Sequence, residues 1–213
     1  MTSRTYDQFC GVARALDLVG ERWALLVVRD LILGPKRFTD LRRGLPGIGT
    51  NVLAARLREL ERGGVVERRT LPPPAASTVY ELTDYGRSLE GPLLALGRWG
   101  ASSMGPREPG QALRSEWLAV AFKAFFRPEA ASGLSATVAL RFVDGAFRAR
   151  IEDGALEVES GVRNGADLVL TTEVETLIAF LAGADVPPAA LAPEGDTSLL
   201  ERLPDIFAFG ATV

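Results

Sequence analysis

The stretch "TNVLAARLRELERGGVVERRTLPPPAASTVYELT", residues 50–83, sets a leucine-striped, arginine-rich run directly before two short β-like segments joined by prolines. At the 100° step of a helix, Leu53, Leu57 and Leu60 share one side, with Thr50 or Asn51 as the cap. The opposite side carries Asn51, Ala55, Arg58 and Arg62, while Arg56 lies nearer the buried edge. Small, amide and guanidinium side chains suit close approach to base edges and phosphates, since Asn pairs bidentately with adenine and Arg with guanine or phosphate. On periodicity alone, a solvated amphipathic helix explains the same face equally well.

The neighbouring segments decide between these readings. Gly63 and Gly64 end the helix, and Val65 to Thr70 reads as a strand carrying Arg68 and Arg69. Pro72, Pro73 and Pro74 cannot join a ladder and belong to the tip of the connection. Thr78 to Leu82 returns as a strand, with Val79 and Glu81 on one face and Thr78, Tyr80 and Leu82 on the other. Upstream, helices are expected over Cys10–Val19 and over Trp23–Leu33, the second apolar nearly all round. Thr39 is placed to cap a short helix, Asp40–Arg43, and "GLPGIG" at residues 44–49 reads as the turn after it. A short helix, a turn, a basic-faced helix and a basic hairpin in succession describe a winged helix-turn-helix. Lys36 to Arg69 holds 9 basic and 4 acidic residues in a chain of net charge −3, a local patch suited to phosphates or to solvent.

Composition excludes much chemistry. With no histidine and one cysteine, the chain lacks the usual general base and the usual zinc or redox-metal ligands. The glycines of 44–49 do not fit a phosphate loop, and no serine sits in a nucleophile elbow. No catalytic residue, metal or cofactor is therefore expected, and the chain reads as a non-enzyme. Its longest apolar region is interrupted by Arg29 and Asp30, and "MTSRTYDQFC", residues 1–10, has no apolar run of the kind a secretion signal needs. One cysteine cannot staple a domain, so a cytoplasmic protein with no membrane partner is expected. Residues 1–110 carry 16 Lys/Arg against 12 Asp/Glu, residues 111–213 carry 8 against 15, and this asymmetry assigns the halves different roles.

The motifs "CGVARALDLVGERWALLVVRDLILGPKRFTDLRRGLPGI", "LAARLRELERGGVVERR" and "VYELTDYGRSL" make residues 10–101 resemble the HxlR-type transcriptional regulators, winged helix proteins related to the MarR type. The resemblance implies a homodimer on double-stranded operator DNA, with recognition helix Thr50–Arg62 and wing Arg68–Thr78. The candidate DNA-binding residues are Lys36, Arg37, Thr39, Arg42, Arg43, Thr50, Asn51, Ala55, Arg58, Arg62, Arg68, Arg69 and Thr78. The family's "CP" start stands here as Cys10-Gly11. Some members resemble redox or electrophile switches with a cysteine at this place, and Arg14, one turn on, would lower its pKa. The competing reading makes Cys10 a small buried hydrophobe. Any disulfide of a single cysteine would join two subunits or a small thiol.

After the wing, Thr83 is expected to cap a helix reaching about Trp99, striped by Leu82, Tyr85, Leu89, Leu93 and Leu96 and kinked at Pro92. That stripe would form a dimer seam or pack within the chain.

Residues 102–112, "SSMGPREPGQA", read as a linker between domains 1–101 and 113–213. The second domain opens with a helix whose apolar face is Leu113, Trp117, Val120, Ala121 and Phe125. "TVALRF", "AFRARI" and "ALEVES", joined by Asp-Gly turns, read as an antiparallel meander, and "ADLVLTT" adds a fourth strand. Thr172 and Glu175 form a capping box for a helix striped by Val174, Leu177, Ile178 and Leu181. The fold class is α+β: a winged helix-turn-helix followed by an antiparallel sheet with helices packed on it. "VDGAFRARIEDGALEVESGVRNGADLVLTTEVETLIAFLAG" resembles the sterol carrier protein type-two-like fold, which implies an apolar cavity. Trp117, Phe122, Phe126, Phe142, Phe147, Phe180 and Phe207 are candidates to line it, and each also reads as plain core.

The expected protein is thus a homodimeric repressor answering to a small hydrophobic ligand bound by its C-terminal domain. A redox-responsive regulator sensing through Cys10, a lipid-binding scaffold whose winged domain binds protein, and an enzyme built on the C-terminal fold are the alternatives.

Overall fold

The computed structural model of the protein describes residues 5–74, 76–161 and 165–209. Residues 1–4 and 210–213 of the expected domains lie outside the described residues. The chain divides into two compact units, Met1–Leu93 and Leu94–Val213.

The first unit contains α1 (Gly11–Val19), α2 (Ala24–Leu31), α3 (Phe38–Gly44), α4 (Thr50–Arg62), β1 (Val66–Thr70), β2 (Thr78–Leu82) and α5 (Asp84–Arg87). Val27, Val28 and Leu31 of α2, Leu41 of α3 and Leu53, Leu57 and Leu60 of α4 close into one core with Val65, Val66 and Leu82. A fully buried leucine of this kind contributes roughly 1.5–3 kcal/mol, so the α4 stripe alone fixes which side of that helix is hidden. β1 and β2 pair antiparallel, Arg68 opposite Tyr80. Lys36 extends this ribbon by one antiparallel bridge, exchanging backbone hydrogen bonds with Tyr80 at 2.9 and 2.8 Å. The chain before α3 is thereby sewn to the wing.

Several helix starts differ from expectation. Arg37, not Thr39, precedes α3, and Gly49, not Thr50 or Asn51, precedes α4; neither N-cap makes a side-chain hydrogen bond. Thr83 does accept from the Gly86 amide, but the helix it starts ends at Arg87. A separate α6 (Glu90–Ala101) follows. Pro92 therefore sits in the first turn of α6, where its missing N–H has no intrahelical partner to lose, and not at a mid-helix kink.

The division between units falls inside α6, and residues 102–112 belong to the second unit. There Arg107 pairs with Glu175 at 2.7 Å and donates to the Gln111 carbonyl, while Arg98 of α6 donates to the Ala124 carbonyl at 2.9 Å. The Arg107–Glu175 pair ties the expected linker to the rest of its unit.

The second unit continues with α7 (Ser115–Phe125), β3 (Ser135–Phe142), β4 (Gly145–Glu152), β5 (Ala155–Ser160), β6 (Leu168–Thr171), α8 (Val174–Leu181), α9 (Pro188–Leu191), β7 (Pro193–Gly195) and α10 (Leu203–Ile206). The sheet order is β5-β4-β3-β6-β7. Three strands form the expected meander, but β6 lies parallel to β3, so the sheet is mixed and not antiparallel throughout. The alternation that announces a strand does not name its partner. One face buries Val138, Leu140, Phe147, Ala149, Ile151, Leu168 and Leu170, and α7 packs against β4 and β5. The other face carries the ion pairs Arg150–Glu157 at 2.6 Å and Arg150–Glu152 at 3.2 Å. The expected capping box is absent because each partner is engaged elsewhere: Thr172 donates to the Ala190 carbonyl, and Glu175 holds Arg107. Among the described residues no helix is long and apolar enough to cross a membrane.

Candidate nucleic-acid interface

Because Leu53, Leu57 and Leu60 are buried, α4 turns its opposite face out. Thr50, Asn51, Arg58 and Arg62 are exposed and Ala55 is half-buried. The Arg58 guanidinium makes no hydrogen bond or ion pair among the described residues, whereas Arg62 donates to the Arg58 carbonyl at 3.3 Å. At the start of the helix, Arg42 of α3 donates to the Thr50 hydroxyl at 3.3 Å, linking the two helices of the motif. Thr39 and Arg43 are exposed, Arg43 within 3.7 Å of Asp40.

The wing joins this surface through its base. Arg37 donates to the Ser77 hydroxyl at 3.1 Å, beside the Lys36–Tyr80 bridge. Arg68 is exposed and unpaired among the described residues, and Thr78 is half-buried. Arg69, expected to face DNA, is committed within the wing: its guanidinium makes two hydrogen bonds to Glu81. Strand alternation places Arg69 and Glu81 on the same face, opposite Arg68. Glu81, Ser77 and Tyr80 were not selected from sequence; an Arg and a Glu at diagonal positions across the hairpin were the available signal for Glu81.

Cys10 is exposed, which removes the reading of it as a buried hydrophobe. Its sulfur makes no capping hydrogen bond, yet the first-turn amides of Ala13 and then Val12 pull the thiol pKa down. The cause is the helix start and not Arg14.

The aromatic candidates of the second unit separate by burial. Phe122, Phe147 and Phe207 are fully buried, with Phe122 edge-on to Phe147 at 5.1 Å and 4.2 Å from Phe207. Phe126 and Phe142 are half-buried and meet this group through Phe207 and Phe147. Phe125 and Phe209 join it as well. Trp117 and Phe180 are half-buried on α7 and α8.

Residues 18–108 match the HxlR-like helix-turn-helix family. YdeP of Bacillus subtilis, an HTH-type transcriptional regulator, is 38% identical over 91 residues, 43% of this chain and 71% of that protein. YodB of the same organism, also an HTH-type transcriptional regulator, is 38% identical over 85 residues, 40% of this chain and 76% of that protein. Among solved structures, the redox regulator HypR in its oxidised form is similar, with 36% identity over 45% of this chain and 99% of that one and a TM-score of 0.42. Such regulators bind DNA and form a non-enzymatic family. With this degree of likeness, the chain belongs to the HxlR-like helix-turn-helix family of transcriptional regulators.

Proposed function

We propose that the protein is a homodimeric repressor of a partly palindromic operator, released by a small hydrophobic effector that its C-terminal unit binds in the manner of a sterol-carrier-like domain. The observation that carries the DNA-reading part is the division of α4. Its leucines are sealed in the core, while Asn51, Arg58 and Arg62 project from a helix joined to α3 through Arg42 and Thr50. A helix presented this way enters the major groove, and the β1–β2 hairpin lies along the adjacent backbone. Exposed Leu96 and Trp99 on α6 supply an apolar seam for a second copy. For the effector, half-buried Phe126 and Phe142 offer apolar contact at the edge of the buried phenylalanines. The effector acts by favouring a dimer geometry that no longer fits the half-sites, and a ~100-fold loss of DNA affinity needs about 2.7 kcal/mol of coupling. Such a protein works in the cytoplasm.

A duplex selected from a random pool by the wild-type protein provides the test. Binding to it weakens steeply as salt rises, and Arg58→Ala with Arg62→Ala lowers affinity by several kcal/mol while the melting temperature holds. Equal binding by the double variant removes α4 from the reading role. Native mass spectrometry of the purified protein reports whether it is a dimer and whether it carries a small apolar molecule.

A second reading, control through Cys10, is favoured by the exposure and lowered pKa of its thiol. An oxidant or electrophile that changes DNA binding of the wild type and not of Cys10→Ser selects it.

A further inference from the structure

The C-terminal end of α1 and the connection to α2, residues 20–23, approach α4 and the turn before it at three places. At the C-terminal end of α4, a Cβ on Gly63 would lie 2.9 Å from Leu18 Cδ2. Gly63 has φ −76, which any residue adopts, so here glycine supplies room for Leu18 and not backbone freedom. At mid-helix, Arg56 Nη1 lies 3.5 Å from Glu21 Oε2 and 2.6 Å from Glu59 Oε2. In the turn before α4, Trp23 Cη2 lies 3.9 Å from where a Cβ of Gly47 would be. Trp23 has φ 80, a left-handed conformation costly for a bulky side chain, and its ring reaches the turn from that conformation.

The middle contact has a particular lever. Leu53, Leu57 and Leu60 form one line along α4, which fixes the buried side and leaves the finer rotation of the helix about its axis to contacts on its flanks. Arg56 sits roughly 70° around from that line, between the buried stripe and the reading face, at 100° per residue. Its side chain, only 15% exposed, joins that flank to Glu21 on another segment. Roll decides which of Asn51, Arg58 and Arg62 reach base edges.

We infer that Glu21 and Arg56 are positioning residues for operator reading: their ion pair sets the roll of α4 against the α1–α2 connection. This rests on the assignment of α4 as the DNA-reading helix.

The sign of one substitution separates positioning from simple charge. Glu21 is half exposed, so Glu21→Gln removes a negative charge near DNA without disturbing the core; electrostatics alone makes every duplex bind more tightly. Positioning requires the reverse for the selected duplex. The expected result is a roughly three- to tenfold loss on the duplex selected by the wild type. Binding to an unrelated duplex of equal length stays equal or tightens, and the melting temperature and salt slope stay unchanged. Glu21→Gln with Arg56→Gln is no weaker than Arg56→Gln alone, because the two residues act through one contact. Tightening of both duplexes by Glu21→Gln overturns the inference. So does a fall of about one unit in the salt slope of Arg56→Gln, which identifies a direct phosphate contact. A wild-type protein that selects no duplex overturns the assignment of α4 itself, and the inference with it.

Discussion

Glu81 on β2 accepts two hydrogen bonds from the guanidinium of Arg69 on β1, Nη2 reaching Oε2 at 3.0 Å, and it does so as a buried carboxylate. The Arg69 hydrogen bonds hold the Glu81 carboxyl below the usual range, against the opposing effect of burial. A folded-state pKa below the unfolded one gives stability that is fully present above the unfolded pKa and is lost as pH falls through the folded one. The affected window therefore opens near the ordinary glutamate value of about 4.3 and extends below it. Glu81→Gln is expected to lower the melting temperature by a few degrees at neutral pH, and its deficit relative to wild type shrinks through that acid window. A deficit independent of pH shows that the ion pair is not what holds the hairpin.

A second close approach concerns Gly44, the last residue of α3. A Cβ there would stand 2.5 Å from Asp30 Oδ2, and Asp30 is a buried side chain bound to Arg29 through Oδ1 at 2.7 Å. In an open helix, Gly→Ala is stabilising by up to ~1 kcal/mol. Here the added methyl must displace a buried, hydrogen-bonded carboxylate, so Gly44→Ala is expected to destabilise the fold by about 1–3 kcal/mol in chemical denaturation. A neutral or stabilising result places the Asp30 carboxylate elsewhere.

What the sequence disclosed follows from the range of each interaction. The α4 face was legible because helical period and burial are both local, and Leu53, Leu57 and Leu60 are indeed buried. Caps were less legible: Thr172 and Glu175 stand at the right spacing, but a distant carbonyl and a distant guanidinium compete for them. The parallel pairing of β6 with β3 was hidden for a related reason, since residues 168–171 look the same beside any strand. In the candidate interface, exposed arginines could be counted but not sorted. Arg68 and Arg69 are adjacent in sequence, and only the position of Glu81 across the hairpin commits one and leaves the other free.

The α6 face provides a test of the proposed dimer. Leu96 and Trp99 stand three residues apart on one side of the helix and are 46% and 74% exposed. Two large apolar groups left in water on one face favour association with a matching face, and two recognition helices are needed to span a palindrome. Leu96→Glu with Trp99→Glu is expected to convert a dimer to a monomer in sedimentation and to weaken binding to the selected duplex by at least tenfold, with far-UV circular dichroism unchanged. A double variant that sediments like wild type puts the seam elsewhere.

The thiol of Cys10 offers a test that does not require DNA. Thiolate is the reacting form, and the amides of Ala13 and Val12 favour it at the start of α1, so the rate of alkylation by iodoacetamide rises at lower pH in the folded protein than in urea. Unfolding removes the helix start and returns the profile to that of an ordinary cysteine. Arg14→Ala leaves the folded profile in place, because Arg14 is not a cause of the shift, whereas Ala13→Pro deletes the larger of the two amide contributions and moves the profile part of the way back toward that in urea. Proline is tolerated in the first turn of a helix, so the far-UV spectrum of that variant should match wild type and confirm that the helix persists. Coincident profiles in buffer and in urea, or a profile moved by Arg14→Ala, would show that the backbone amides do not tune this thiol.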